Sequence, residues 1–264
     1  MPEVSVVMPV WNAAGFVAEA VASVRAQSFA DWELIVVDDG STDASVAEVE
    51  RAADGDARIR LLRMPANAGP GPARSRAMAE AAGRFVAFLD CDDLWHPQKL
   101  ARHIPFMRQN GFGLSYTAYR RIDLASGRSV AIGVPPRVTR AQLLHGNVIG
   151  CSTAVYDRER LGPRAMPDLR RRQDYAFWLE LLAELPAAGG INQCLTVYRQ
   201  RAVSVSSSKG AAARDTWALF RNHLGLPFPE AALAFGHYAI RGVLRHRAPG
   251  LARALGVLHA AQDP

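Results

Sequence analysis

Over the first ninety residues of this 264-residue chain, short apolar runs alternate with segments of helical periodicity, and that alternation constrains the fold more than any single motif. Val4 to Val10, Trp32 to Val37 and Phe85 to Leu89 are rich in β-branched and aromatic residues, as strands are, and Ile59 to Arg63 reads as a short third strand. Between them, Phe16, Val17, Ala20, Val21 and Val24 recur at helical spacing over 16–27. A second helix is expected over 44–53, capped by Thr42 or Asp43, and an alanine-rich third over 73–82. The β-α-β-α-β-α-β order predicts an α/β fold with a mostly parallel sheet and right-handed crossovers.

The ends of these strands are polar. The first runs into Trp11-Asn12, the second into Asp38-Asp39 and the last into Asp90-Cys91-Asp92-Asp93. In a parallel sheet all three ends lie on one edge, where open α/β folds bind their ligands. Carboxylates this crowded repel one another unless a cation, a proton or a basic group lies between them. Mg²⁺ and Mn²⁺ prefer oxygen donors, and Mg²⁺ uses one or two carboxylates together with substrate phosphates. Taken alone, an Asp-x-Asp after a strand is also compatible with a plain polar loop. Three converging strand ends point to a nucleotide or phosphate site.

Composition narrows the partners. The formal net charge of +6 comes largely from arginine and suits an anionic partner. Apolar residues make up 49%, normal for a folded globular chain. No apolar run has the length of a membrane span, and the N-terminus lacks a secretion signal, so a cytoplasmic protein is expected. Cys91, Cys151 and Cys194 are far apart, without metal-ligand spacing, and read as reduced thiols. Gly69-Pro70-Gly71-Pro72 is not a dinucleotide fingerprint, since no Gly-x-Gly-x-x-Gly exists.

Taken together, Val4-Ser5-Val6-Val7-Met8-Pro9-Val10-Trp11-Asn12, Val36-Val37-Asp38-Asp39-Gly40-Ser41-Thr42-Asp43, Asn67-x-Gly69 with Ala73-Arg74, and Phe88-Leu89-Asp90-Cys91-Asp92-Asp93 resemble the family 2 glycosyltransferases of GT-A fold. The resemblance implies that Pro9, Val10 and Trp11 hold the nucleotide through backbone groups. It implies that Asp39 accepts a hydrogen bond from the base, which favours UDP, and that Arg74 meets the pyrophosphate. Asp90 and Asp92 become the Asp-x-Asp of a Mn²⁺ or Mg²⁺ site, with Asp92 the firmer ligand, and the cation would neutralise charge on the leaving UDP. The Val86–Asp92 run also resembles the nucleophile motif of haloacid-dehalogenase-type phosphatases. That motif lies near an N-terminus and continues with Thr or Val, whereas here it is central and continues with Asp93.

In the second half, strands are expected at 113–119, 151–156 and 195–199, a hairpin at 123–128, and a helix over 140–145 capped by Thr139. Gln173-Asp174-Tyr175-Ala176-Phe177-Trp178-Leu179 opens a helix with a buried face of Phe177, Trp178, Leu181 and Leu182. The family carries Glu-Asp here, its Asp being the base of an inverting transfer. Gln173 replaces the first acid, so only Asp174 carries over, to take a proton from the acceptor hydroxyl. Loss of that neighbouring charge and the presence of Arg170, Arg171 and Arg172 are expected to favour ionised Asp174. Arg199 and Lys209, flanking the serine segment 204–208, are expected at the donor phosphate. From Asp215 onward the chain reads as helical, with Arg241, Arg245, His246, Arg247 and Arg253 set among apolar residues. That pattern fits an anionic membrane surface as well as an ordinary packed helix.

These observations predict a GT-A catalytic domain over 1–212, with a nucleotide-binding half at 1–100 and an acceptor-binding half at 101–212. A helical segment over 213–264 would face a membrane or a partner. The expected activity is metal-dependent, inverting transfer of a sugar from a UDP-sugar to a glycan or polyprenyl-diphosphate-linked acceptor of the cell-surface glycan class. Resemblance to the transferases of teichuronic-acid, capsule or O-antigen assembly supports that acceptor class, and no nucleic-acid partner is expected. A phosphatase using Asp90 and Asp92, or a nucleotide-binding regulator without activity, are the alternatives.

Overall fold

The computed structural model describes residues 1–200 and 209–263. Strand β1 (Val4–Val10), helix α1 (Val17–Arg25), β2 (Trp32–Asp38), α2 (Ser45–Ala53), β3 (Ile59–Arg63), α3 (Pro70–Ala79) and β4 (Phe85–Phe88) follow the predicted order. Strands β3, β2, β1 and β4 are adjacent and parallel, with Val10 opposite Asp38 and Val7 opposite Phe88. Helix α3 begins at Pro70 rather than Ala73. Gly69 turns the chain at a φ of 98°, and Pro70 takes the first helical position, where its missing N–H leaves nothing unsatisfied. Helix α2 has no side-chain cap at Ala44; Asp43 instead accepts from the Ser45 N–H at 2.9 Å, within the helix's first residue.

Beyond the Asp-x-Asp turn lie β5 (Leu94–Trp95), α4 (Lys99–Asn110), β6 (Leu114–Asp123), β7 (Ser129–Ile132), β8 (Arg137–Val138) and α5 (Arg140–Leu144). They are followed by β9 (Val155–Asp157), α6 (Arg158–Leu161), α7 (Gln173–Glu184) and β10 (Ala188–Gln200). Thr139 forms the expected cap of α5, as a full capping box with Gln142. The strand expected over 151–156 is divided: 151–153 form a 3₁₀ turn and only β9 is extended. The sheet order is β3-β2-β1-β4-β9-β6-β10-β5. β9 lies antiparallel between β4 and β6, so the parallel sheet becomes mixed there.

Alternation along the strands divides the core into two layers. Val7, Ile35, Val37, Val86 and Phe88 face α3 and α7, whereas Val6, Met8, Leu34, Val36 and Ala87 face α1 and α4. Phe88 meets Trp178 edge-on, with ring centres 5.3 Å apart, which fixes α7 against the strand that carries the Asp-x-Asp.

Helices α8 (Lys209–Ala218), α9 (Phe228–Arg247) and α10 (Pro249–Ala254) follow, with a π-helical turn at Leu219–His223 after α8. The chain after α10 returns to the sheet: Gly133 pairs with His259, and Gln193 with Gln262. The C-terminal segment is therefore tied to the β6–β7 and β10 edge. Among the described residues no helix is long and apolar enough to cross a membrane.

Beneath the sheet edge, α4 carries a buried basic pair. Lys99 and His103 are fully buried one turn apart, with Lys99 Nζ 3.1 Å from His103 Nδ1 and donating to Thr153 O at 3.2 Å. His103 Nε2 lies 2.5 Å from Ser115 Oγ, and the Lys99 amine sits 4.7 Å above the Trp95 ring. Burial pushes Lys99 down to about 7, and burial followed by the neighbouring Lys99 pushes His103 well below its ordinary value. In the unfolded chain Lys99 would titrate near 10.4, as an ordinary lysine does. Between about 7 and 10 the unfolded state therefore binds a proton that the folded state has released. Stability contributed by this group is present at high pH and lost as pH falls towards the folded value. Melting followed by circular dichroism should show stability rising from pH 7 to pH 9, by at most ~1.4 kcal/mol per pH unit from this group. In Lys99→Met that rise should be absent; equal slopes in the two proteins would refute the assignment.

Candidate active site

The ends of β1 and β2 are locked together by side chains of the intervening turns. Val10 O accepts the Asp39 N–H at 2.8 Å, and Asn12 N–H donates to Ser41 Oγ at 3.0 Å. Asn12 sits at a φ of 45°, a left-handed conformation that asparagine tolerates, and its Oδ1 accepts the Thr42 N–H at 2.9 Å. Ala13 N–H donates to Ser45 Oγ at 2.7 Å. Of the three residues expected to present nucleotide-binding backbone, Pro9 and Val10 are buried within paired strand, whereas Trp11 stands at the rim with 52% of its surface exposed.

Asp39 is 2% exposed and organises the loop after β3. Its Oδ1 accepts the Ala68 N–H at 2.8 Å, and its Oδ2 accepts the Gly69 N–H at 2.8 Å and Asn67 Nδ2 at 2.9 Å. This carboxylate thus holds the segment that leads into α3, with one lone pair of Oδ1 remaining for a ligand donor. Asp38 has a local task, accepting the Ser41 N–H at 3.2 Å.

Arg74, in the second turn of α3, reaches the same edge. It is 4% exposed, and its Nη2 donates to Asp90 Oδ1. Burial disfavours its charge, but the groups around it, Asp90 first and Cys151 and Asp174 with it, together outweigh burial and keep the guanidinium protonated. Its Nη1 is 3.2 Å from the side-chain oxygen of Gln173 when that amide is oriented to donate to Leu169 O, and its buried Nε has no partner among the described residues. Asp174 lies in the first turn of α7, half-buried beside this guanidinium. Burial raises its pKa, with Arg74 as the largest opposing influence and Asp90 adding to the rise. The expected shift is therefore reversed. Of the three arginines, Arg172 lowers that pKa, and by less than Arg74 does. Arg171 faces Asp215 at 3.4 Å, and Arg172 donates to Tyr238 Oη at 3.0 Å. A carboxylate with a raised pKa is the stronger base once ionised.

The three acids of the turn do not share one role. Asp93 is 2% exposed and points inward, accepting Ser152 Oγ–H at 2.5 Å and the Arg199 N–H at 3.0 Å. Burial raises its pKa well above the ordinary carboxylate range, with Asp90 and Asp92 adding repulsion. Ser152 Oγ also accepts the Asp90 N–H at 3.1 Å, and Ser152 O accepts Trp95 Nε1–H at 2.8 Å. One serine thereby fixes both ends of the Asp-x-Asp-Asp turn. The Cys91 thiol contacts the Trp11 backbone, so the β1 rim and this turn are neighbours.

Arg199 is displaced from its expected role at the donor phosphate. Its Nε donates to Asp92 O, its Nη1 pairs with Glu19, and its Nη2 donates to Phe16 O at 3.3 Å. The guanidinium is committed to clasping β10, the Asp92 turn and α1. The serine segment 204–208 lies outside the described residues, as does the side chain of Lys209, which opens α8. His96 accepts the Gln98 N–H through Nδ1 at 3.2 Å and turns the chain into α4.

With Asp93 turned inward and Asp90 Oδ1 held by Arg74, Asp92 and Asp90 Oδ2 are the carboxylate donors this turn can offer a cation. Among the described residues no group of three His, Cys, Asp or Glu could hold a metal ion. The donor set fits a Mg²⁺ or Mn²⁺ whose shell is completed by substrate phosphate and water, and not a cage made of protein alone. Sequence patterns missed Ser152, Glu19 and the inward role of Asp93. Each acts through a partner remote along the chain, so no local signal marks it.

Residues 5–158 match the model of glycosyl transferase family 2. The chain is 38% identical over 243 residues to the Bacillus subtilis protein named as the teichuronic acid biosynthesis glycosyltransferase TuaG, covering 92% of this chain and 96% of that one. It is 33% identical over 246 residues to WfgD of Escherichia coli, named as a UDP-Glc:α-D-GlcNAc-diphosphoundecaprenol β-1,3-glucosyltransferase, covering 92% and 94% of the two. In fold it resembles Staphylococcus aureus TarS, residues 1–349, in complex with UDP-GlcNAc, with a TM-score of 0.70 at 21% identity over 96% of this chain and 76% of that one. The parallel β3-β2-β1-β4 edge, its converging carboxylates and these matches agree: the chain has a GT-A fold and belongs to glycosyl transferase family 2.

Proposed function

We propose that this protein is an inverting glycosyltransferase that moves a sugar from a UDP-sugar to a hydroxyl of a lipid-linked or growing cell-surface glycan. The observation that supports the proposal is the cluster of buried Arg74 with half-buried Asp90 and Asp174, in which a carboxylate suited to act as base lies beside the edge that would bind the diphosphate. The acceptor class follows the names of TuaG and WfgD. Use of cytoplasmic nucleotide sugars puts the protein on the cytoplasmic face of its membrane.

The donor's uracil would lie against Trp11 and Asp39. Among the described residues Asp39 Oδ1 accepts the Ala68 N–H, and it can take the N3–H of uracil as a second donor. The diphosphate would occupy the edge between the first turns of α3 and the Asp-x-Asp turn. There the positive end of α3 and the guanidinium of Arg74 favour negative charge. Asp92, with Asp90, would hold the Mg²⁺ or Mn²⁺ that neutralises charge on the departing UDP. Arg199 supports that exchange from below by fixing the Asp92 carbonyl. Asp174 takes the proton of the acceptor hydroxyl as its oxygen attacks the anomeric carbon from the face opposite UDP, which inverts the configuration.

Two substitutions separate these roles. Asp174→Asn should lower kcat by about 10²- to 10⁴-fold and leave UDP affinity unchanged. Because burial raises the pKa of Asp174, its ionised form costs folding free energy above that pKa. At pH 7 the Asn variant should therefore melt no lower than the parent. Substantial remaining transfer would sink the base assignment. Asp92→Ala should abolish the gain in UDP affinity on adding Mn²⁺; calorimetry showing the same gain in both proteins would reject the metal role.

A further inference from the structure

We infer that His145, His237, Arg241 and Arg245, gathered where α5 meets α9, form a binding subsite for the diphosphate of a lipid-linked acceptor. This inference rests on the glycosyl transfer proposed above.

Residues 237, 241 and 245 follow one another at four-residue spacing, so they share one flank of α9. That flank meets the C-terminal end of α5, where His145 stacks on His237 with ring centres 4.2 Å apart. Arg245 crosses above Gly146: a Cβ there would lie 3.2 Å from Nη2 and 3.9 Å from Arg241 Cδ. Among the described residues neither Arg241 nor Arg245 forms an ion pair, and the buried Nε of Arg245 has no hydrogen-bond partner. Burial disfavours the charge of Arg245, and Arg241 repels it further.

The two sequence stretches that build this corner contain no acid. Asp and Glu are absent from Leu124 to Tyr156, which includes α5 and its loop, and from Ala231 to Gln262, which includes nearly all of α9 and all of α10. Like charges one turn apart on a helix destabilise it, and no carboxylate of either stretch offsets them. A ligand carrying two adjacent phosphates supplies the missing charge with the oxygen acceptors that guanidinium forks match.

The position suits the acceptor. Tyr238, between His237 and Arg241, receives the hydrogen bond from Arg172 at 3.0 Å, and α7 with Asp174 starts just beyond Arg172. The adjoining outward face of α9 carries exposed apolar side chains, with Leu233 65%, Ile240 60% and Val243 55% exposed. A lipid chain entering along that face would bring its diphosphate to the cations and its sugar towards Asp174. A second copy of the chain is the poorer occupant, because it would bring another acid-free, arginine-bearing surface against this one.

The test titrates geranyl diphosphate into full-length protein saturated with UDP and Mn²⁺, using Arg241→Gln and Arg245→Gln. Each substitution should weaken geranyl diphosphate by about tenfold or more and leave UDP affinity as in the parent. Arg245→Lys should recover part of the loss. Unchanged geranyl diphosphate affinity in both Gln variants would overturn the assignment, as would absence of binding to the parent. If the variants lose sedimentation with phosphatidylglycerol vesicles but keep geranyl diphosphate, the cluster serves bilayer headgroups and the assignment is also overturned. Failure of the parent to bind UDP, with geranyl diphosphate binding intact, would remove the proposed activity and leave the subsite standing.

Discussion

The buried pair between Arg74 and Asp90 ties the site to the fold. A guanidinium that is 4% exposed is stable in that position only if a carboxylate lies against it, and removal of either partner would strand a charge in a poorly solvated place. The pair joins α3, which leaves the Asp39-held loop, to the end of β4. Asp174 is then placed within the field of the same guanidinium from α7. One cation therefore connects the start of α3, the Asp-x-Asp turn and the candidate base, which lie far apart in sequence. Its unpartnered Nε leaves a donor directed at no protein group among those described.

Around that pair, carboxylates act in two distinct ways. Asp39 and Asp93 are almost wholly buried and bind backbone N–H groups, so they shape turns. Asp90, Asp92 and Asp174 are half-buried and remain near the surface of the edge. Burial decides this division more than residue type does. The inward acids draw the chain tightly together, and the outward ones inherit a fixed geometry from them. Ser152 completes the scheme, since a single hydroxyl binds Asp93 and the Asp90 N–H together.

Much of this was visible in the chain itself. Apolar runs at 4–10, 32–37 and 85–89 became buried parallel strands in the expected places, because a strand covered on both faces must be apolar throughout, and 59–63, with its two arginines, became the half-buried edge strand beside them. Asp39 and Asp90 stand out at strand ends, the resemblance to family 2 singles out Arg74 and Asp174, and the structure brings Arg74, Asp90 and Asp174 together. Arg199 shows the limit. Its charge and strand position suggested a ligand, but its partners are Glu19 and two carbonyls, reached only after β10 is laid down beside the turn. The same limit concealed the division at 151–156. The β-branched and aromatic residues of 151–156 predict extension, whereas 151–153 form a 3₁₀ turn from which Ser152 bonds to the Asp90 turn.

The ionisation of Asp174 carries this logic to the chemistry. Counting neighbouring charges along the sequence, with Gln173 in place of an acid and three arginines before it, suggests a depressed pKa. In the folded protein Arg171 faces Asp215, Arg172 bonds Tyr238, and the nearest strong cation is Arg74, whose charge is already shared with Asp90. Desolvation then outweighs the attraction that remains, and the pKa rises. For a general base the consequence is favourable: a carboxylate that holds its proton more firmly accepts one more readily from a hydroxyl, provided the site is ionised at working pH. Gln173 in place of the preceding acid works in the opposite direction and keeps Asp174 ionisable, since its amide can bond Arg74 without adding a second negative charge. A second carboxylate there would compete with Asp90 for the guanidinium, and the arrangement of the whole edge depends on that guanidinium having one principal partner.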